Sequence, residues 1–216
     1  MPLVRAAVTT PQPAATPSPT QSPTQSRETL LAQLGGPDAD GRRQAARALA
    51  SDPGAVAALA ARLDAEPDAA VRDALFASLS DIGGAEAAGL VAPLLRSDDA
   101  GLRGGAIETL KRMGEDAEAA LDLLLDDPDA DIRLLAVEVL RVWSGARAAP
   151  RLHRIVEDET EINVCGAAID VATEVGTEAL IPPLQRLAAR FGDDQFLSFA
   201  AGIACDRIRA DARRGE

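Results

Sequence analysis

From Arg27 onward, apolar residues recur at spacings of three and four in short runs, each closed by Gly, Pro or an acidic pair. That spacing marks one face of an amphipathic helix, whereas a strand would need strict alternation. The runs come in pairs. The shorter member begins near Gly or Pro, at 53–66, 84–97, 114–127, 145–158 and 176–192, and "RETLLAQL" (27–34) opens the series. The longer member opens on an acidic anchor, as in "PDADGRRQAARALA" from 37, "PDAAVRDALFASLSDIG" from 67, "DDAGLRGGAIETLKRMG" from 98 and "PDADIRLLAVEVLRVWS" from 128. Looser copies follow in "TEINVCGAAIDVATEVG" from 160 and "DDQFLSFAAGIACDRI" from 193. The pattern predicts helix A, a tight turn and helix B, repeated about six times.

The anchors Asp38, Asp68, Asp99 and Asp129 are separated by 30, 31 and 30 residues, with Glu161 and Asp194 at the same place in the last two units. A fixed period of this length predicts a solenoid, in which each unit buries its apolar face only against its neighbours. An aspartate just before a helix accepts hydrogen bonds from unpaired N–H groups and opposes the helix dipole, worth about 1 kcal/mol per cap. Strict placement of one per unit favours this role over catalysis or metal binding. Gly83, Gly114 and Gly176 stand where C-terminal helix stops are expected. Aligning the B helices predicts a core from Val71, Leu75, Leu79 and Ile82; Leu102, Ala106, Leu110 and Met113; and Ile132, Ala136, Leu140 and Trp143. Phe76, Ile107 and Val137 form the next column, placed to pack between units.

The shared pattern, D-x-x-[VIL]-R-x-x-A followed by Leu and Gly, resembles the HEAT-like repeats first associated with phycobilisome lyases, over Arg27 to Arg209. The resemblance implies an all-α fold, a right-handed α-solenoid of about six HEAT-like hairpins. It also implies an Asp–Arg ladder between neighbouring repeats, for which the chain has Asp38 and Arg42, Asp68 and Arg72, Asp99 and Arg103, and Asp129 and Arg133. Cys165 and then Ser198 take the arginine place in the last two copies. Either those units relax because a cap needs no onward partner, or that end has gained a different contact; the atypical character of terminal repeats favours the first. B helices of such arrays line the concave face. Their outward residues therefore become the candidate partner-binding surface: Arg43, Arg47, Asp73, Glu108, Lys111, Arg112, Glu138, Arg141 and Asp170, with Lys111, Arg112 and Arg141 as a small basic centre.

Composition narrows the function. Apolar residues make up 47% but aromatics only 2%, and Tyr is absent, so the core is built from Ala, Leu, Val and Ile. A net charge of −12, from 34 acidic and 22 basic residues, argues against nucleic acid and acidic membrane as partners. Two cysteines are too few for a disulfide framework and fit a reducing, cytoplasmic setting. Residues 1–26 are rich in Pro, Thr, Ser and Gln and read as a disordered tail, acting as a spacer, a tether or a carrier of a recognition motif such as "PSPTQSP"; residues 27–216 form the repeat domain.

Candidate chemistry is sparse. His153 is the only histidine and reads as an exposed helix residue. No phosphate-binding loop, nucleophile elbow or zinc-ligand cluster is present, and Cys165 and Cys205 lie in Ala-rich helices where thiols pack as small apolar groups. The expectation is a non-catalytic scaffold or adaptor that binds another protein, with no cofactor and no metal. The resemblance keeps open a bilin lyase or lyase-like chaperone subunit, although low aromatic content counts against a tetrapyrrole cradle. Nucleic-acid binding is the weakest of the three readings.

Overall fold

The computed structural model describes residues 26–215, so the expected N-terminal tail lies almost wholly outside the described residues. Among the described residues twelve α-helices form six hairpins. The A helices are α1 (Arg27–Leu34), α3 (Val56–Ala65), α5 (Gly84–Val91), α7 (Glu118–Leu125), α9 (Gly145–Asp158) and α11 (Ile181–Arg190). The B helices are α2 (Ala39–Ala48), α4 (Ala69–Ile82), α6 (Ala100–Met113), α8 (Ala130–Val139), α10 (Ile162–Val175) and α12 (Gln195–Gly215). Short 3₁₀ turns extend several of them, for example Ala92–Arg96 after α5, where Pro93 has no N–H to continue the α-helical ladder. Among the described residues there is no strand.

Each A helix packs on the B helix that follows it. The B helices pack in a continuous row from α2 to α12, while A helices contact one another from α3 through α7 and from α9 to α11. This is the α-solenoid the thirty-residue rhythm predicts. The anchors cap their helices: Asp38 accepts from Gly41 N–H, Asp68 from Ala70 and Val71, Asp99 from Gly101 and Leu102, and Asp129 from Asp131. The aligned columns are buried, from Val71, Leu75 and Leu79 to Ile132, Ala136, Leu140 and Trp143, with Ile82 partly covered at the hairpin end.

Small residues let the units approach closely. Phe76 of the second repeat lies over Gly105 of the third, where an added Cβ would fall 2.1 Å from the ring. Ser78, fully enclosed, donates to the carbonyls of Ala46 in the previous repeat (2.9 Å) and of Ala74 in its own helix (2.8 Å). Gly83 (φ +67°) and Gly114 (φ +56°) stop their helices in the left-handed region, as expected. Gly176 also ends its helix, α10, but with an ordinary φ of −66°. Its glycine is required by space, because a Cβ there would come within 2.2 Å of the Ala172 carbonyl oxygen and 2.9 Å of Ile208.

Replacing Gly105 by Ala should therefore push the Phe76 ring out of its seat and destabilise the protein by about 1–3 kcal/mol, the usual cost of overpacking. Chemical denaturation of the two proteins measures it, and an unchanged midpoint would show that the two repeats do not interlock there.

Candidate binding surface

The ladder arginines all point to the junctions between hairpins, but their partners differ from the simple Asp–Arg rule. Arg42 reaches past Asp68 to Glu66, two residues earlier, with Nε–Oε2 and Nη2–Oε1 both at 2.7 Å; Arg133 likewise reaches past Glu161 to Glu159, at 2.8 and 3.0 Å. The acid two positions upstream of the anchor lies at the end of the next A helix, facing the guanidinium. Where that upstream position is Ser97, Arg72 has no such acid and pairs with Asp99 itself, at 2.6 Å. The same guanidinium groups also cap carbonyls at the A–B turn, Arg42 on Gly36 and Pro37 and Arg133 on Asp127 and Pro128.

The third junction breaks the pattern. Its upstream acid, Asp127, is taken by Arg96, and Arg103 donates only to the carbonyls of Ser97 (2.7 Å) and Asp98 (3.0 Å). Arg103 is thus the one ladder arginine without a carboxylate among the described residues. Beside it a notch of about 440 Å³ opens between the third and fourth repeats, lined by Leu95, Ile132, Leu134 and Leu135 together with Arg96, Asp129 and Asp131.

At the fifth junction the structure corrects the expectation of a relaxed end. Cys165 offers only a weak thiol contact to the Glu159 carbonyl (3.5 Å), and Arg190 at the end of α11 comes in from the sixth repeat instead, donating to the carbonyls of Val156 (3.2 Å), Glu157 and Glu159 (2.7 Å). A guanidinium still closes the turn, supplied by the neighbouring unit. Burial holds the Cys165 and Cys205 thiols above their usual value, which suits packing and not nucleophilic attack.

Of the outward B-helix residues, Arg47, Asp73, Glu108, Arg112 and Asp170 are exposed, and Arg43, Lys111, Glu138 and Arg141 are half-buried. Arg43 pairs with Asp40 (2.7 Å), Lys111 with Glu108 (2.9 Å), and Arg141 with Glu138 (3.0 Å) and Glu174. The supposed basic centre is therefore largely neutralised within the protein. Arg112 and Arg47 alone of these cations have no ion partner among the described residues.

The opposite, A-helix layer holds a network that the sequence reading missed. Arg147 and Arg151 of α9 pair with Glu118, Arg151 also with Asp122 (2.7 Å), Arg147 also with Glu115, and Arg154 with Asp126 (2.9 Å). Both Arg147 and Arg151 sit over the Trp143 ring, at 5.5 and 5.1 Å from its centre. Its signal was legible: arginines at 147, 151 and 154 face acids at 115, 118, 122 and 126, each set on a helical stripe. Among the described residues no group of three or more His, Cys, Asp or Glu is placed to hold a metal, and no helix is long and apolar enough to cross a membrane.

A family description of HEAT repeats matches residues 27–111 and 117–201, most of the chain. The chain belongs to the HEAT-repeat family. Among solved structures, this HEAT-repeat chain is similar to the complex of CpcE and CpcF of phycocyanin lyase from Nostoc sp. PCC7120, at 16% identity, covering 91% of this chain and 100% of that one, with a TM-score of 0.39. It is also similar to a designed armadillo repeat protein in complex with the peptide (KR)4, at 18% identity, 85% and 100% coverage and a TM-score of 0.43. An engineered protein at 21% identity covers 85% of this chain and 96% of its own, with a TM-score of 0.40. No curated protein matches the HEAT-repeat chain.

The first rung of the HEAT stack is the most buried. Arg42 and Arg62 enclose Glu66, whose side chain has no exposed surface, and the Arg42 guanidinium outweighs the burial cost to hold the Glu66 carboxyl down at about 2. Because this folded value lies below the ordinary 4.5, the rung contributes stability above pH 4.5 that is lost as pH falls towards 2. In urea titrations the stability gap between the native protein and Glu66→Gln should be full at neutral pH and shrink across that acid window. A gap that stays constant with pH would mean that the carboxylate charge is not what the rung uses.

Proposed function

We propose that this chain is a non-catalytic scaffold or adaptor that binds a partner protein along its B-helix face, the inner, concave side of the array, in a reducing and cytoplasmic setting. The observation that carries the reading is the interrupted ladder at the third junction. There a guanidinium with spare donors, Arg103, borders a notch whose lining mixes Leu95, Ile132, Leu134 and Leu135 with Arg96, Asp129 and Asp131. Arginines and acids beside aliphatic side chains suit a partner surface of mixed charge that carries an aliphatic side chain, with an acidic group for Arg103. Arg112, exposed and without an ion partner among the described residues, adds a second uncommitted cation on the same row of helices. A net charge of −12 repels a polyanion over most of the surface, which favours protein over nucleic acid.

The test is affinity capture with the full chain from its own cells. A discrete co-purifying protein should be retained by the native chain and by His153→Glu, an exposed change on A helix α9, and lost by roughly tenfold or more with Arg103→Gln combined with Arg112→Glu. Equal recovery with the double variant, its thermal midpoint being unchanged, would remove the B-helix face from the account.

A further inference from the structure

Two of the four phenylalanines of this aromatic-poor chain stand in water on its last helix: Phe196 is 72% exposed and Phe199 70%, with Ile203 at 49%. Their spacing of three and four makes one stripe along α12. It is not the packed side of that helix, which is Leu197, Ala201, Ala204, Cys205 and Ile208. In the register of the B helices, Phe199 and Ile203 fall in the outward columns that hold Arg43 and Arg47 in the first repeat and Asp73 and Ala77 in the second. The sixth repeat alone puts large apolar groups at both places.

We propose that this stripe is the seam of a homodimer in which α12 packs antiparallel on α12 of a second copy. The stripe is nearly symmetric about residue 200, so a twofold axis there sets Phe196 of each copy near Ile203 of the other and the two Phe199 rings side by side. The same axis brings Asp193, exposed in the turn leading into α12, level with Arg207 of the second copy, and does so twice. Asp193 has no ion partner among the described residues, and Arg207 touches only Asp211 of its own helix, through Nε at 3.1 Å. Antiparallel alignment also opposes the two helix dipoles. Gly202, beside the stripe, has no atom within 4 Å of where a side chain would begin, so the backbones can approach on that flank.

Area sets the strength. The three side chains offer roughly 350 Å² of exposed apolar surface per copy. Doubled, that is somewhat over half of the ~1,200 Å² a stable interface buries, with the polar flanks of α12 supplying the remainder. A seam this small fits a dimer that exchanges with monomer.

Sedimentation velocity of the full chain from low to several hundred micromolar should show a monomer–dimer equilibrium. Phe196→Asp with Phe199→Asp, both in exposed positions and checked by circular dichroism, should raise the dissociation constant by on the order of 100-fold. Asp193→Arg and Arg207→Asp should each weaken the dimer, and the two together should restore it. A monomer at every concentration would assign the stripe to some other protein and overturn the proposal, as would a dimer indifferent to the phenylalanine changes. Failure of these variants to alter capture of the partner protein leaves the B-helix scaffold reading standing, so the two claims are decided separately.

Discussion

The interaction on which this structure rests is the burial of one hairpin's apolar stripe against the next. With only 2% aromatic residues, no single hairpin encloses enough surface to offset the entropy of ordering its backbone. Leu75, Leu110, Leu121, Leu140 and Leu152 are fully enclosed within the stack of repeats. A buried leucine contributes about 1.5–3 kcal/mol, so an array gains stability roughly in proportion to the number of its junctions. Small residues make those junctions tight: glycine at 105, 145 and 176 admits a ring, a carbonyl oxygen and an isoleucine where a Cβ would collide.

Electrostatics decorates the apolar frame and sorts itself by depth. The Arg42–Glu66 rung is enclosed and held by paired hydrogen bonds, whereas pairs such as Arg207–Asp211 sit in water and add little. Between α7 and α9 the arginines at 147, 151 and 154 face an acidic stripe, the first two stacking on Trp143, and this ionic contact ties the A layer across the fourth junction. One consequence is functional. Lys111 and Arg141 are partly neutralised by pairs within the array, whereas Arg47, Arg103 and Arg112 have no carboxylate partner among the described residues.

Much of this was legible in the sequence because the repeat supplies its own alignment. The period, the paired helices, the capping aspartates and the columns through Leu75, Leu110 and Leu140 follow from spacing alone. The rung partners did not, since attention to the conspicuous Asp anchor hides the quieter column two residues upstream, Glu66, Asp127 and Glu159. Arg190 was invisible for another reason: it occupies no ladder position, and only three-dimensional proximity shows it replacing the guanidinium that Cys165 lacks. Gly176 ends its helix as expected, but for which reason was not legible, because sequence does not distinguish a glycine needed for its φ from one needed for its missing Cβ. The exposure of Phe196 and Phe199 likewise required the structure, because large apolar residues at these helix positions read as core by type, although the equivalent positions of the earlier repeats, Asp40, Ala70, Gly101 and Asp131, are exposed as well.

The most direct test of the central claim is to ask whether a hairpin can stand alone. A peptide covering the fourth unit, residues 114–143, should give a far-ultraviolet circular dichroism spectrum of a largely unfolded chain, with no cooperative thermal transition, while the whole protein unfolds from a strongly helical state. A cooperatively melting, helical hairpin in isolation would contradict the account, because its stability would then come from within the unit and not from its neighbours.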